Sequence, residues 1–207
     1  MTVCLVTDRR RADPVRQARA ATAAEIDFVQ VRERDLDAGA LAALVRAVMD
    51  AVRGAGSATR TRVVVNDRLD VALACGADGV HLREDSMTVA DVRSIAPPGF
   101  VVGRSVHSVR EAEATTGADY LIAGTVFPST SKPDQRTLLG ETGLRAIVDA
   151  APAPVLAVGG IDADVCNVVA RAGAAGIAAI GLFSVSEPLD ALVRTLRSRF
   201  DSVKIAP

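Results

Sequence analysis

The sequence predicts an α/β protein, a single closed (β/α)8 barrel over residues 1–207, and three observations predict it. Eight short apolar runs rich in valine and isoleucine recur along the chain. Each is followed by a stretch of helical periodicity, the alternation expected of βα units around a parallel sheet. A Gly-Ala-Asp triplet or its relative precedes a strand three times, at Gly76-Ala77-Asp78, Gly117-Ala118-Asp119 and Gly173-Ala174-Ala175, so one helix-to-strand turn is reused. A doubly wound open sheet shares this local pattern, and it is the count of eight units in 207 residues that favours closure.

Taken in order, the expected strands are 3–7, 28–32, 62–65, 79–82, 101–105, 120–123, 155–158 and 176–180. The helices lie between and after them. Asp37 stands where it can cap the alanine- and leucine-rich run that follows, and Gly54 and Gly56 end that run. Ser108 is placed to cap the helix carrying Ala112, and Asp162 the one through Val169. Pro188 falls where a first helical turn tolerates proline.

Composition narrows the function. With 49% hydrophobic residues the chain can bury a sizeable core, and a net charge of −1 offers no broad attraction for nucleic acid or an anionic membrane. Aromatic content of 3% argues further against a nucleic-acid module. The longest uncharged run, Ala172 to Phe183, is broken by glycines and falls short of the roughly 20 residues that cross a bilayer. No signal-peptide pattern opens the chain, so a cytoplasmic protein is expected. Cys4, Cys75 and Cys166 are widely spaced, and with only two histidines in the chain they read as reduced core thiols. Small-molecule chemistry is what remains.

In a barrel, that chemistry belongs at the carboxyl ends of the strands. After the second strand, alternation sends Gln30, Arg32 and Arg34 to one side, an amide and two guanidiniums that suit an anion. Asn66 and Asp67 end the third strand. They read equally as a helix cap and as a site where Asp67 gives hard oxygen to magnesium, with Glu84 and Asp85 after the fourth strand as partners. Ser105 and His107 project together from the fifth strand, and His107 suits proton transfer near neutrality. His81, inside a strand, reads as a structural histidine. The loop 124–141 crowds hydroxyls around Lys132, one of two lysines in the chain, and such a loop suits phosphate. Gly159, Gly160 and Gly181 leave backbone amides unobstructed after strands seven and eight, where barrels frequently hold phosphate.

The ordered set VQVRER, VNDRLDVALACGADGVHL, GRSVHS, GTVFPSTSKP, AVGGI and GAAGIAAIG resembles the thiamin phosphate synthase and TenI superfamily over nearly the whole chain. The resemblance implies a (β/α)8 barrel and one of two activities on small phosphorylated substrates. The first joins hydroxymethylpyrimidine diphosphate to hydroxyethylthiazole phosphate, releasing pyrophosphate. On that reading Gln30, Arg32, Arg34, Asn66, Ser105 and Lys132 match the pyrimidine diphosphate positions. Ser129, Ser131, Gly159, Gly160, Ile180 and Gly181 match the thiazole phosphate cradle, and Asp67 and Asp85 the ligands of Mg2+. Arg32, His107 and Lys132 are the catalytic candidates. Arg34 stands where the family usually has lysine. The segment from His81 to Asp85 is one residue shorter than the synthase pattern, and Gly181 replaces a frequent serine. The second activity is a TenI-type thiazole tautomerase, to which SVHS at Ser105 to Ser108 is the more similar. A barrel that binds phosphate ligands without turnover is a third reading, and a homo-oligomer is compatible with all three.

Overall fold

Eight parallel strands close into a barrel, each bonded to its neighbours in sequence and β8 to β1. The strands are β1 (Thr2–Val6), β2 (Phe28–Val31), β3 (Arg62–Asn66), β4 (Gly79–Leu82), β5 (Val101–Val106), β6 (Tyr120–Gly124), β7 (Val155–Val158) and β8 (Gly176–Ala179). Between and after them run α1 (Pro14–Ala23), α2 (Ala38–Gly54), α3 (Leu69–Cys75), α4 (Val89–Ile95), α5 (Val109–Ala114), α6 (Gly140–Ala150), α7 (Cys166–Arg171) and α8 (Leu189–Asp201). The computed structural model describes residues 1–55, 61–129, 137–184 and 188–203. The expected (β/α)8 barrel is the observed fold.

Strand alternation divides the core in two. Val3, Leu5, Val29, Val31, Val63 and Val65 point outward into the layer between strands and helices. Cys4, Val6, Val64, Tyr120, Ile122, Leu156 and Ala178 fill the barrel. The helices bury matching stripes: α2 offers Leu41, Val45, Val48 and Met49, the spacing of one helical face. All three cysteines are free thiols, and burial pushes Cys4 up to about 12 and Cys166 up to about 11, which keeps both protonated and inert.

The reused turn has a purpose that composition hid. Asp78 and Asp119 accept hydrogen bonds from Val63 and Val102 N–H, each at 2.7 Å, pinning one strand's start to its neighbour. Asp27 does the same for Val3 at 2.8 Å, so the turn occurs before β2 as well. There Glu25 takes the left-handed backbone, φ 59°, that Gly76 and Gly117 take elsewhere, and the triplet is unrecognisable by sequence.

Several expected boundaries shift. The β4 and β7 ranges agree with expectation, whereas β1 lies one residue earlier, β2 and β8 stop one residue sooner, and β3, β5 and β6 run one further. Pairing across the barrel sets these ends, as in Asn66 with His81, Val106 with Ala123 and Gly124 with Val158. Ser108 and Asp37 cap α5 and α2 as expected, and Gly54 is the last residue of α2 with Ala55 as its cap. Asp162 instead accepts from Asp164 and Val165 N–H, a turn upstream of α7, which begins only at Cys166. Pro188 is the cap residue of α8 rather than part of its first turn.

Candidate active site

The upper layer of the barrel interior is polar. Gln30, Asn66, His81, Ser105 and Ile122 line the cavity from five consecutive strands, and Arg32, Arg83, His107 and Gly124 do so two residues beyond Gln30, His81, Ser105 and Ile122. Together with Arg34, Ser129, Gly159, Gly160, Ile180 and Gly181 they line a cavity of about 530 Å3 at the carboxyl ends of the strands. The structure therefore gathers most of the residues expected there. Ser131 and Lys132 lie outside the described residues. Asp67 and Asp85 do not line the cavity and meet it through Arg83.

The cavity is cationic. Burial, and next the neighbouring Arg34 guanidinium, lower Arg32 from the usual guanidinium pKa, with Arg83 acting in the same direction. Asp8 and Glu33 oppose this from a distance. Among the described residues no carboxylate stands within ion-pair distance of Arg32 or Arg34. The Arg32 backbone is fixed from below: its N–H donates to Thr7 Oγ1 at 3.0 Å, and that hydroxyl donates to the buried Glu33 at 2.7 Å. Glu33 also accepts from Arg9 N–H, so a carboxylate absent from the sequence reading holds this rim.

The neighbouring polar side chains are tightly specified. Gln30 Nε2 donates to Asn66 Oδ1 at 3.0 Å, while Gln30 Oε1 is buried with no hydrogen-bond partner among the described residues. His81 does more than the structural histidine expected of it. Its Nε2 lies 2.9 Å from Ser105 Oγ in the cavity wall, and its Nδ1 lies 3.2 Å from the Tyr120 hydroxyl. The Tyr120 ring occupies space that a side chain at Gly103 would fill, which is how it reaches across the barrel. Burial above all, with Arg104 second, drops His81 to about 3, so the ring is neutral and steers the Ser105 hydroxyl rather than carrying charge.

His107 is placed at the cavity but is not free. Its Nδ1 meets the Gly124 carbonyl and its Nε2 lies 2.5 Å from the Glu84 carboxylate, so both ring nitrogens face acceptors. Glu84, expected as a partner of Asp67, is thereby engaged elsewhere. The alternative reading of Asn66 and Asp67 as a helix cap fails too: α3 has no side-chain cap, and Arg68 occupies its cap position.

Gly159 and Gly160 have positive φ of 98° and 63°. A Cβ at Gly159 would overlap Thr125, and one at Gly160 the Pro128 carbonyl, so both glycines let the start of the β6 loop lie against the β7 end. Val126 and Phe127 N–H donate to Val158 and Gly159 carbonyls at 2.9 and 3.0 Å, closing that contact. Gly181 has no such neighbour among the described residues, where the nearest atom to a Cβ is Arg11 Nη1 at 3.8 Å. Arg83 was missed from sequence. It lies two residues beyond His81, and the alternation that assigned Arg32 after Gln30 would have found it.

Fold and cavity define a class, the (β/α)8-barrel enzymes that gather cationic and polar groups at the strand carboxyl ends. Within that class the chain belongs to the thiamine monophosphate synthase family, whose family model matches residues 3–183. It is 39% identical over 198 residues to the thiamine-phosphate synthase of Anaeromyxobacter dehalogenans, covering 94% of this chain and 86% of that one. A thiamine-phosphate synthase of Methanoregula boonei is 40% identical over 189 residues, covering 90% and 86%. Among solved structures, thiamine phosphate pyrophosphorylase from Pyrococcus furiosus superposes with a TM-score of 0.82 at 32% identity, over 97% of this chain and 95% of that one.

Proposed function

We propose that this enzyme condenses hydroxymethylpyrimidine diphosphate with hydroxyethylthiazole phosphate to thiamin phosphate, releasing pyrophosphate. The observation that carries the reading is the group of three guanidiniums, Arg32, Arg34 and Arg83, around the cavity beside a buried acceptor, Gln30 Oε1, that has no partner among the described residues. The guanidiniums suit a diphosphate. The acceptor suits the exocyclic amino group of an aminopyrimidine, and satisfying a buried polar atom favours the ligand that does so. Asn66, which accepts from Gln30, holds that amide in place.

The chemistry follows from where the charge goes. The bond from the pyrimidine methylene carbon to the diphosphate oxygen breaks, its electron pair leaving with pyrophosphate. The ring nitrogen of the thiazole then supplies the pair that forms the new C–N bond. Arg32 and Arg34 stabilise the charge that develops on the leaving group, the larger part of catalysis in such a displacement. Ser105, steered by His81, orients the pyrimidine. Ser129, Ser131, Gly159, Gly160, Ile180 and Gly181 receive the thiazole phosphate, and Lys132 serves the diphosphate.

The donor set fits magnesium, which takes one or two carboxylates and completes its shell with water and substrate oxygens. Asp67 and Asp85 both pair with the Arg83 guanidinium, and Ser86 Oγ donates to Asp67 Oδ1, so the two carboxylates already face one cation. Among the described residues no three metal-ligating side chains stand together. Bound there, the ion would add positive charge beside the departing pyrophosphate.

A tautomerase would use His107, whose pairing with Glu84 suits a proton-transferring group, but it would leave the guanidiniums of Arg32, Arg34 and Arg83 without a diphosphate to bind. Balanced charge and free thiols suit a cytoplasmic enzyme without nucleic-acid partners. No helix of the described residues is long and apolar enough to cross a membrane. The test is to incubate the protein with both substrates and Mg2+ and look for thiamin phosphate. Product is expected; isomerisation of the carboxythiazole phosphate without it, lost in His107→Ala, would replace this reading with the tautomerase.

A further inference from the structure

The loop after β4 carries a cation into the place where the family's divalent metal is expected. Arg83 Nη2 lies 2.6 Å from Asp85 Oδ2, and its Nη1 lies 3.7 Å from Asp67 Oδ2. One guanidinium thus spans both carboxylates. Asp67 is held toward it by an unusual backbone, φ 64°, which its N–H stabilises by donating to the His81 carbonyl at 2.9 Å. Ser86 completes the group: Arg83 N–H donates to Ser86 Oγ at 2.9 Å, and that hydroxyl donates to Asp67. Arg104 braces the loop by donating to the Glu84 and Met87 carbonyls at 2.9 and 2.8 Å. Arg83 stands within the segment from His81 to Asp85, the one that is a residue shorter than the synthase pattern.

We propose that Arg83 is a displaceable counter-ion that neutralises Asp67 and Asp85 until a divalent cation takes its place. The inference rests on the cation site of the proposed function. The side chains of Arg83, Asp67 and Asp85 are 35%, 29% and 60% exposed, and ion pairs so open to solvent are individually weak. A divalent ion carries twice the charge in a smaller radius and displaces a guanidinium from two carboxylates. Released, Arg83 has the cavity it already lines to turn into, beside Arg32.

The counter-ion makes cation binding weaker in this protein than its two carboxylates alone would give. Binding of Mn2+ alone to the purified protein, followed by the loss of the free-ion electron paramagnetic resonance signal, measures this without turnover. Arg83→Gln and Arg83→Ala are expected to bind Mn2+ about tenfold more tightly than the native protein, through loss of one nearby positive charge. Asp67→Asn in the Arg83→Gln background is expected to abolish the gain. Affinity in both Arg83 variants equal to or below the native value would overturn the proposal, as would tight binding that survives Asp67→Asn. A native enzyme that forms thiamin phosphate while the Arg83 variants leave Mn2+ affinity unchanged would overturn the role of Arg83 alone. Absence of product from an enzyme whose Arg83 variants do bind more tightly would overturn the activity and leave this role standing.

Discussion

Arg32 combines three properties that rarely coincide: it is half-buried, it has a cation beside it, and no carboxylate within ion-pair distance neutralises it among the described residues. An arginine held in this way awaits an anion. Arg32→Ala is expected to lower kcat/KM about 30- to 150-fold, the equivalent of the ~2–3 kcal/mol of a charge-assisted hydrogen bond. Steady-state kinetics with the pyrimidine diphosphate as varied substrate measures it, and a loss below threefold would assign the diphosphate to other groups. Much of this site was legible in the sequence because alternation is local: Gln30 and Arg32 share a face whatever the rest of the chain does. The contacts that were not legible are distant in sequence. His81 meets Tyr120 and Ser105 across neighbouring strands, Glu84 turns from Asp67 to His107, and Glu33 braces Arg32 through Thr7.

Among the elements, the βα loops decide how the site is held. The β6 and β7 ends touch only because Gly159 and Gly160 have positive φ and no side chain. Gly159→Ala or Gly160→Ala is expected to cost about 1–3 kcal/mol through backbone strain and overlap, read as a lower midpoint in denaturant unfolding. Gly181→Ser meets, among the described residues, only an ordinary contact with the Arg11 side chain and is expected to change that midpoint by less than about 0.5 kcal/mol. Equal effects at all three would contradict the distinction between a packing glycine and an unobstructed one. The same contrast shows why element order was readable and element ends were not. Val and Ile runs and helical stripes identify each strand and helix, but pairing such as Gly124 with Val158 decides where a strand stops. The turn at Glu25 escaped notice because a glutamate occupies the glycine's conformation, enforced by the Asp27 bond to Val3.

For the whole molecule, the buried neutral His81 ties stability to pH. Its folded value near 3 is below its ordinary value of 6.5, so between those limits the unfolded chain binds the extra proton. The contribution is complete above 6.5 and erodes as pH falls toward 3, at up to about 1.4 kcal/mol per pH unit. Unfolding midpoints measured from pH 7.5 down to 4.5 are expected to fall along that limb, and His81→Gln to flatten it; an unchanged slope in the variant would move the origin elsewhere. Barrel, cationic cavity and family membership converge on one reaction, and the stoichiometry of that reaction tests them together. With both substrates and Mg2+, phosphorus NMR is expected to show pyrophosphate and thiamin phosphate appearing in equal amounts, and neither when one substrate is withheld. Pyrophosphate released without the thiazole phosphate, or no release at all, would contradict the account.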